Sequence, residues 1–578
     1  MNKKRTIDFL IEILIFLQFF IFVFSIILSK EVSNLDEIWN YNTARQIMLG
    51  NLPYKNLSMI TTPLLPFIVS ILLKLFGDEL LVFRVISALI LTILFFIMYR
   101  ITIKITKNKV YSIISTSLIM LIFKNNFALD YNIFAVLINS LILYIELKFK
   151  NTESKRKIFN YNFYIGILAG LAFLTKQTTG CLIILEVCLI QFICAENDKE
   201  LKANLKKYLK NLLIRIFGIV IPIFIFALYL IISNSLTDFI NYAVLGLKTF
   251  SNKISYNSLL KNNQKIIKVL SIILPIFFIE ELIRRIVVLL ISNKKTRKNN
   301  KQRENLITNK NINDNFSTSN ANLNNSTNIL NYKNDLDYIF YYATCMLINE
   351  YPITDENHFL IANLLLLMYG FIIIFNLKNV SILKKDNSKN ISNENLNIQK
   401  ENIKDGNNLK TQKTKVTALD TLSKLLFSIN LAIVIFALDF ISYYNFRVYR
   451  KYDVSKNVNH YKKLYVSECL IERINAIDDV IKKYQNKTIY IVDAESAIYD
   501  IPLDRYYKNY DMFLNGNIGK DGADGIIEDI KNSKDSIYMI KKNGLSLNWQ
   551  TPTKALDYIK KNLKYIGSTN IFDIYEKE

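Results

Sequence analysis

Cysteine, histidine, glycine and proline are all scarce in these 578 residues, at 5, 2, 15 and 8. The cysteines show no CxxC spacing and no Cys/His cluster, which leaves no zinc site to propose. Cys181, Cys188 and Cys194 share one apolar segment, where a thiol serves as a small hydrophobe. Cys469 stands alone in the C-terminal region, so no disulfide frames that part. The same region has neither a GxGxxG nor a P-loop, and a nucleotide site there has no support. Acidic residues are outnumbered 49 to 72, for a net charge of +23. A basic total often signals nucleic acid, but no base-reading motif accompanies it. The Lys and Arg residues instead cluster in short loops between apolar runs, the positive-inside pattern of membrane proteins. With few breakers, those runs continue for close to the ~20 residues that cross ~30 Å of hydrocarbon. The chain is 51% hydrophobic with mean hydropathy +0.19, and it reads as a polytopic, α-helical membrane protein.

The Lys/Arg bias predicts a cytoplasmic N-terminus and about eleven transmembrane helices. They are expected at 8–29, 79–101, 110–124, 131–148, 161–176, 178–195, 211–232, 264–291, 336–350, 359–377 and 419–442. Met-Asn-Lys-Lys-Arg before an uninterrupted apolar run, with no small-residue cleavage site, reads as an uncleaved signal anchor. The run at 63–76 is short and bracketed by prolines, and reads as an interfacial helix. Segments 292–335 and 378–417 are rich in Asn and Lys without aliphatic periodicity, and read as disordered cytoplasmic loops. This divides the chain into a membrane domain, 1–444, with outer loop one at 30–78, and an extracytoplasmic α/β domain, 445–578. In the latter, strand-like runs at Thr488–Val492, Ser536–Ile540 and Asn570–Tyr575 mix with helical patterns at Ser467–Tyr484, Gly525–Lys531 and Pro552–Leu563.

The polar residues on the outer face form one group under this topology. Loop one supplies Asp36, Glu37, Arg45 and Tyr54, and Arg84 opens the second span. Asp130 follows the third span and Lys176 ends the fifth. Asp355, Glu356 and His358 precede the tenth. Carboxylates and cations gathered beside lipid suit a lipid-phosphate substrate: cations hold the phosphate and a carboxylate takes a proton from an acceptor hydroxyl. Each residue also has a plainer role open to it. Asp36 and Glu37 would cap an interfacial helix, Arg45 and Arg84 would snorkel to headgroups, and His358 would be a solvated loop histidine.

Loop one carries an acidic pair, Asp36-Glu37, then Ala44-Arg-Gln-Ile-Met-Leu-Gly-Asn-Leu-Pro-Tyr54, then Thr62-Pro-Leu and Leu75-Phe-Gly77. With Arg84, Leu129-Asp130 and Gly166-Ile-Leu-Ala-Gly-Leu-Ala-Phe-Leu-Thr-Lys176, this resembles the GT-C superfamily, in particular the bacterial family related to protein O-mannosyltransferases and lipid A aminoarabinose transferases. The resemblance covers roughly 30–200. It implies a membrane glycosyltransferase that moves a sugar from a polyprenyl-phosphate donor to an envelope glycan, lipid or protein on the outer face, with inversion. It also implies Asp36 as catalytic base beside Glu37, Asp130 as a second acidic residue, and Lys176 on the lipid phosphate; Arg45, Tyr54, Arg84 and His358 are expected at the substrate. No metal ligand set or cofactor is implied, and a divalent cation is left open. A transporter of lipid-linked sugar would need charge near mid-membrane or paired repeats; the spans are nearly free of central charge except for Glu186 in the sixth and Glu280-Glu281 near the end of the eighth, and no repeat is seen. An envelope scaffold or sensor would leave the loop-one motif without a use.

Overall fold

The computed structural model describes residues 3–150, 152–194, 198–249, 254–307, 335–351, 353–375, 407–452, 458–542 and 551–577. Its first part is helical: α1 (Lys3–Leu28), α2 (Leu35–Met48), α3 (Leu64–Phe76), α4 (Leu80–Thr106), α5 (Lys109–Phe123), α6 (Tyr131–Phe149), α7 (Lys155–Phe173), α8 (Gln177–Ile193) and α9 (Asp198–Ile232). Long helices follow at Lys265–Ile307, 335–346, Glu356–Phe375 and Asn407–Tyr449. Among the described residues, six helices are long and apolar enough to cross a bilayer, among them α1, α4 and α6. The expected total of about eleven is not reached by that measure, because helices such as α5 and α8 have only 15 and 17 residues. Two predicted loops are partly helical. The helix from Lys265 runs on to Ile307, and the one ending at Tyr449 starts at Asn407. The remainder, 308–334 and 376–406, lies outside the described residues.

α3 shows how the sequence sets burial. Leu65, Val69 and Leu73 recur every fourth residue and are buried, while Ile71, Leu75 and Phe76 are 61–70% exposed. An apolar helix of 13 residues with an apolar outer face suits the membrane interface. α7 and α9 pack at glycines. A Cβ on Gly166 would stand 2.2 Å from the Arg215 carbonyl oxygen, and one on Gly170 would stand 2.5 Å from Pro222 Cγ. Small residues let the two backbones touch, the usual device of helix pairs in lipid. A buried ion pair secures the same bundle: Arg215 bonds Glu146 of α6 at 2.6 Å, Asn162 Oδ1 of α7 at 2.7 Å and the Val187 carbonyl of α8 at 2.7 Å.

The C-terminal part forms a four-stranded sheet in the order β1 (Thr488–Ile491), β2 (Ser536–Lys541), β4 (Phe572–Lys577), β3 (Lys564–Ser568). β1 and β2 run parallel, with Ile489 opposite Ile537; β4 is antiparallel to both β2 and β3. Helices Glu468–Lys483, Gly522–Asn532 and Thr553–Asn562 bury Ile477, Ile530 and Ile559 respectively. This unit sits on loop one. Val32 N–H bonds the Tyr465 carbonyl at 3.0 Å, Leu80 N–H bonds the His460 carbonyl at 2.9 Å, and the Trp39 indole N–H bonds the Ala494 carbonyl at 3.2 Å.

Candidate active site

α2 is not an amphipathic helix in the ordinary sense. Most of it is buried, including the polar Asn40, Asn42, Arg45 and Gln46, because protein covers it from both the membrane side and the C-terminal side. Its cap is Asn34, whose side chain accepts from the Glu37 N–H at 2.9 Å. Asp36 is thereby left without the capping duty open to it from the sequence. Its carboxylate has no hydrogen-bond partner among the described residues and lines a cavity of about 230 Å³. The walls come from distant parts of the chain: α2 and Ser58–Thr61 of loop one, Tyr131 at the head of α6, Asp355 and His358, and Met512, Leu514 and Asn517 of the C-terminal unit. Burial, with the charge of Asp130 nearby, pushes the Asp36 carboxyl up to about 7.

Asp130 caps α6, accepting from the Ile133 N–H at 2.7 Å, and its other oxygen accepts from Asn132 Nδ2 at 3.1 Å. Asn132 Oδ1 in turn accepts from Lys176 Nζ at 2.7 Å. Lys176 also donates to Asn349 Oδ1 at 3.2 Å and lies 5.5 Å from the centre of the Tyr131 ring. Thr179 donates to the same Asn349 oxygen at 2.7 Å. Among the described residues no carboxylate comes within ion-pairing distance of Lys176. It is a half-buried cation held by two neutral amides, an arrangement that leaves its charge for an anion. Asp355 Oδ1 meets both the backbone N–H and Nδ1 of His358 at 2.8 Å. Burial raises the Asp355 carboxyl, but these bonds outweigh it and hold it below the usual carboxylate range. Asp355 therefore stays ionised and fixes the imidazole, leaving Nε2 for the cavity.

The other four expected site residues are engaged elsewhere. Glu37 and Arg84 take each other: Nε to Oε1 at 2.9 Å and a second guanidinium nitrogen to Oε2 at 2.8 Å. Arg84 also donates to the carbonyls of Lys30 and Glu31, at 2.7 and 3.2 Å. Neither side chain lines the cavity, and the pair ties the beginning of loop one to α4. Arg45 does not reach the cavity either. It bonds Asp78 Oδ2 at 2.8 Å, His460 Nε2 at 3.0 Å and Asp504, so it clamps loop one to the C-terminal unit. Tyr54 is buried at a left-handed φ of 69°, with its hydroxyl on the Thr61 carbonyl at 2.8 Å and its ring 5.1 Å from that of Phe239. It fixes the loop whose side chains form one wall. Sequence reasoning missed Asn132, Asn349, Tyr131 and the C-terminal wall. The one signal for Asn349 was its place at the outer end of a predicted span. No group of three or more His, Cys, Asp or Glu that could hold a metal ion is found among the described residues.

Comparison with known proteins gives two results. Residues 61–226 match the family model for dolichyl-phosphate-mannose-protein mannosyltransferase. That stretch contains Arg84, Asp130 and Lys176 and begins downstream of Asp36. In fold the chain is similar to ArnT from Cupriavidus metallidurans. With the structure bound to undecaprenyl phosphate the TM-score is 0.52 at 10% identity, covering 100% of this chain and 98% of that one. With the apo structure it is 0.53 at 10% identity, covering 98% and 97%. No curated protein matches in sequence. The matched segment and the shared fold agree with the resemblance carried by loop one, and the chain is a multi-pass membrane protein that shares its fold with ArnT.

Proposed function

We propose that the protein is a membrane glycosyltransferase that moves a sugar from a polyprenyl-phosphate donor to an acceptor hydroxyl at the outer membrane face. The observation that carries this reading is the presence, in one region of the fold, of an unpartnered carboxylate, Asp36, and a half-buried lysine, Lys176, that has only neutral hydrogen-bond partners. A reaction that releases a phosphate and collects a proton needs those two groups. The acceptor oxygen attacks the anomeric carbon, the bond from that carbon to the phosphate oxygen breaks, and the acceptor proton passes to Asp36. The lipid phosphate leaves toward Lys176. One displacement inverts the anomeric centre. A carboxyl near 7 is matched to proton transfer at neutral pH. Asp130 acts through Asn132 to keep Lys176 in place, and Glu37, Arg45, Tyr54 and Arg84 hold loop one in shape. The family match over 61–226 and the fold shared with ArnT support the same class of reaction.

The test uses purified protein in detergent with a polyprenyl-phosphate-sugar donor. Asp36→Asn is expected to lower turnover about 10²-fold, the scale of a lost general base. Lys176→Ala is expected to raise the donor KM more than it lowers kcat, since its partner is present in ground and transition states alike. Near-normal turnover by well-folded Asp36→Asn would reject the assignment.

A further inference from the structure

The cavity has a charged end and a neutral end. Asp36, Asp355 and His358 are its only charged or readily charged lining groups among the described residues, and no Lys or Arg lines it in a chain of net charge +23. Lys176 stands behind Tyr131, bonded to Asn132 and Asn349. The wall contributed by the C-terminal unit, Met512, Leu514 and Asn517, carries one amide and two apolar side chains. An anionic ligand there would meet the Asp36 and Asp355 carboxylates, with only His358, already bonded to Asp355, to offset them, so its desolvation cost would be poorly repaid.

The wall also disfavours a peptide. A strand-like ligand binds through main-chain hydrogen bonds, but two carbonyls of the adjoining loop are already occupied. Ile60 O accepts from Gln177 Nε2 at 2.9 Å and Thr61 O accepts from the Tyr54 hydroxyl at 2.8 Å. The loop and α2 line the cavity with Ser58, Thr61, Asn40 and Trp39, of which the Ser58 hydroxyl also donates to Asn509 Oδ1 and the Asn40 amide to the Asp36 carbonyl. The Trp39 indole is pinned by its N–H to Ala494 O, so the C-terminal unit sets the orientation of the aromatic wall. A fixed aromatic surface among hydroxyls and amides, in a space of about 230 Å³ that is below the range of drug-sized pockets, fits one ring with an apolar C–H face and hydroxyl edges.

We infer that loop one and the Met512–Asn517 segment together form a subsite for an uncharged sugar ring, and that the acceptor presented to Asp36 is the end of a neutral glycan. This rests on the transferase reading above and narrows its acceptor. It also gives the C-terminal unit a part in binding.

The test reads binding and transfer separately. Trp549 is the only other tryptophan in the chain, so full-length Trp549→Phe protein in phosphatidylcholine nanodiscs reports Trp39 fluorescence alone. The probes are the neutral methyl glycosides of glucose, galactose, mannose and N-acetylglucosamine, their 6-phosphates, and a short Ser/Thr peptide. At least one neutral glycoside is expected to perturb Trp39 with Kd near the millimolar range, its 6-phosphate to bind at least tenfold more weakly, and the peptide not to bind. Asn517→Ala should weaken the neutral probe about fivefold, the loss of one neutral hydrogen bond. Leu514→Lys should shift preference toward the 6-phosphate. Equal or tighter binding of the phosphorylated probes, binding of the peptide instead, or indifference to both substitutions would overturn the proposal. Neutral-sugar binding by a protein that leaves a polyprenyl-phosphate-sugar donor untouched would sustain the subsite and sink the transferase reading. Donor consumption with no response to neutral sugars would do the reverse.

Discussion

Replacing Glu37 by Gln separates a brace from a catalyst. Arg84 is fully buried and Glu37 is 6% exposed at the side chain, and the two share a pair of hydrogen bonds. Gln retains the shape but removes the charge, so the guanidinium is left uncompensated in a place water does not reach. Breaking a buried pair from one side costs about 3–5 kcal/mol, a large part of the roughly 5–15 kcal/mol of a typical fold. Arg84→Met should cost as much from the other side, and it also strips the carbonyls of Lys30 and Glu31 of their donor. The double variant removes both charges together and should lose clearly less than the sum of the singles, a coupling of about 2 kcal/mol or more. Chemical unfolding in detergent, followed by near-UV circular dichroism, measures the cycle. Donor turnover per folded molecule should stay within a few-fold of wild type in every variant that folds. A Glu37→Gln protein that unfolds like wild type yet has lost its turnover would refute the reasoning and return Glu37 to the chemistry.

Three further outcomes are expected. Asp36 must be unprotonated to accept a proton, and its carboxyl lies up at about 7, so kcat/KM should rise with pH through about 7 and level above it; a profile flat from pH 5 to 9 would contradict the base assignment. Asp511 is buried against Asn42, at 3.4 Å, and burial pushes its carboxyl up to about 7. Because the folded form holds its proton more tightly than the unfolded chain, that stability is present in acid and is lost as pH rises from about 4 to about 7. Asp511→Asn should therefore raise the unfolding midpoint at pH 8 and leave it nearly unchanged at pH 4, in a denaturation series across pH. Gly166→Leu should prevent α7 from meeting α9, since even a Cβ would sit 2.2 Å from the Arg215 carbonyl oxygen; recovery of monodisperse protein from membranes by size-exclusion chromatography at wild-type yield would show that the contact yields.

What the sequence made legible follows from where the information is local. Apolar runs announced the long helices, and the strand-like runs beginning at Thr488, Ser536 and Asn570 announced three strands of the sheet. Strand β3, Lys564–Ser568, escaped because its exposed and half-buried residues show no apolar alternation. Asp36 and His358 could be placed near one another because positive-inside counting puts loop ends on one side of a membrane. Counting sides does not tell partners apart, however. Glu37 and Arg84 lie 47 residues apart and Arg45 and Asp504 lie 459 apart, and only the folded chain decides that these charges neutralise one another. The helix α2 carries too little apolar contrast to announce itself, since it is buried on several sides by polar and apolar neighbours alike. Glu146 and Arg215 fall within the expected spans 131–148 and 211–232, 69 residues apart with no local sign that they pair, and they form a buried crosslink between helices.

The bond from Trp39 to Ala494, together with those from Asn42 to Asp511 and Arg45 to Asp504, joins residues 455 to 469 positions apart. During synthesis loop one is made early and then waits for the last fifth of the chain, against which it packs. Until then α2 has polar residues with nothing to cover them, and Asp36 has a cavity with one wall missing. Assembly of the reactive centre is therefore a final event in biogenesis. A chain that stops between the helix ending at Tyr449 and about residue 517 has all its leading helices but no closed cavity.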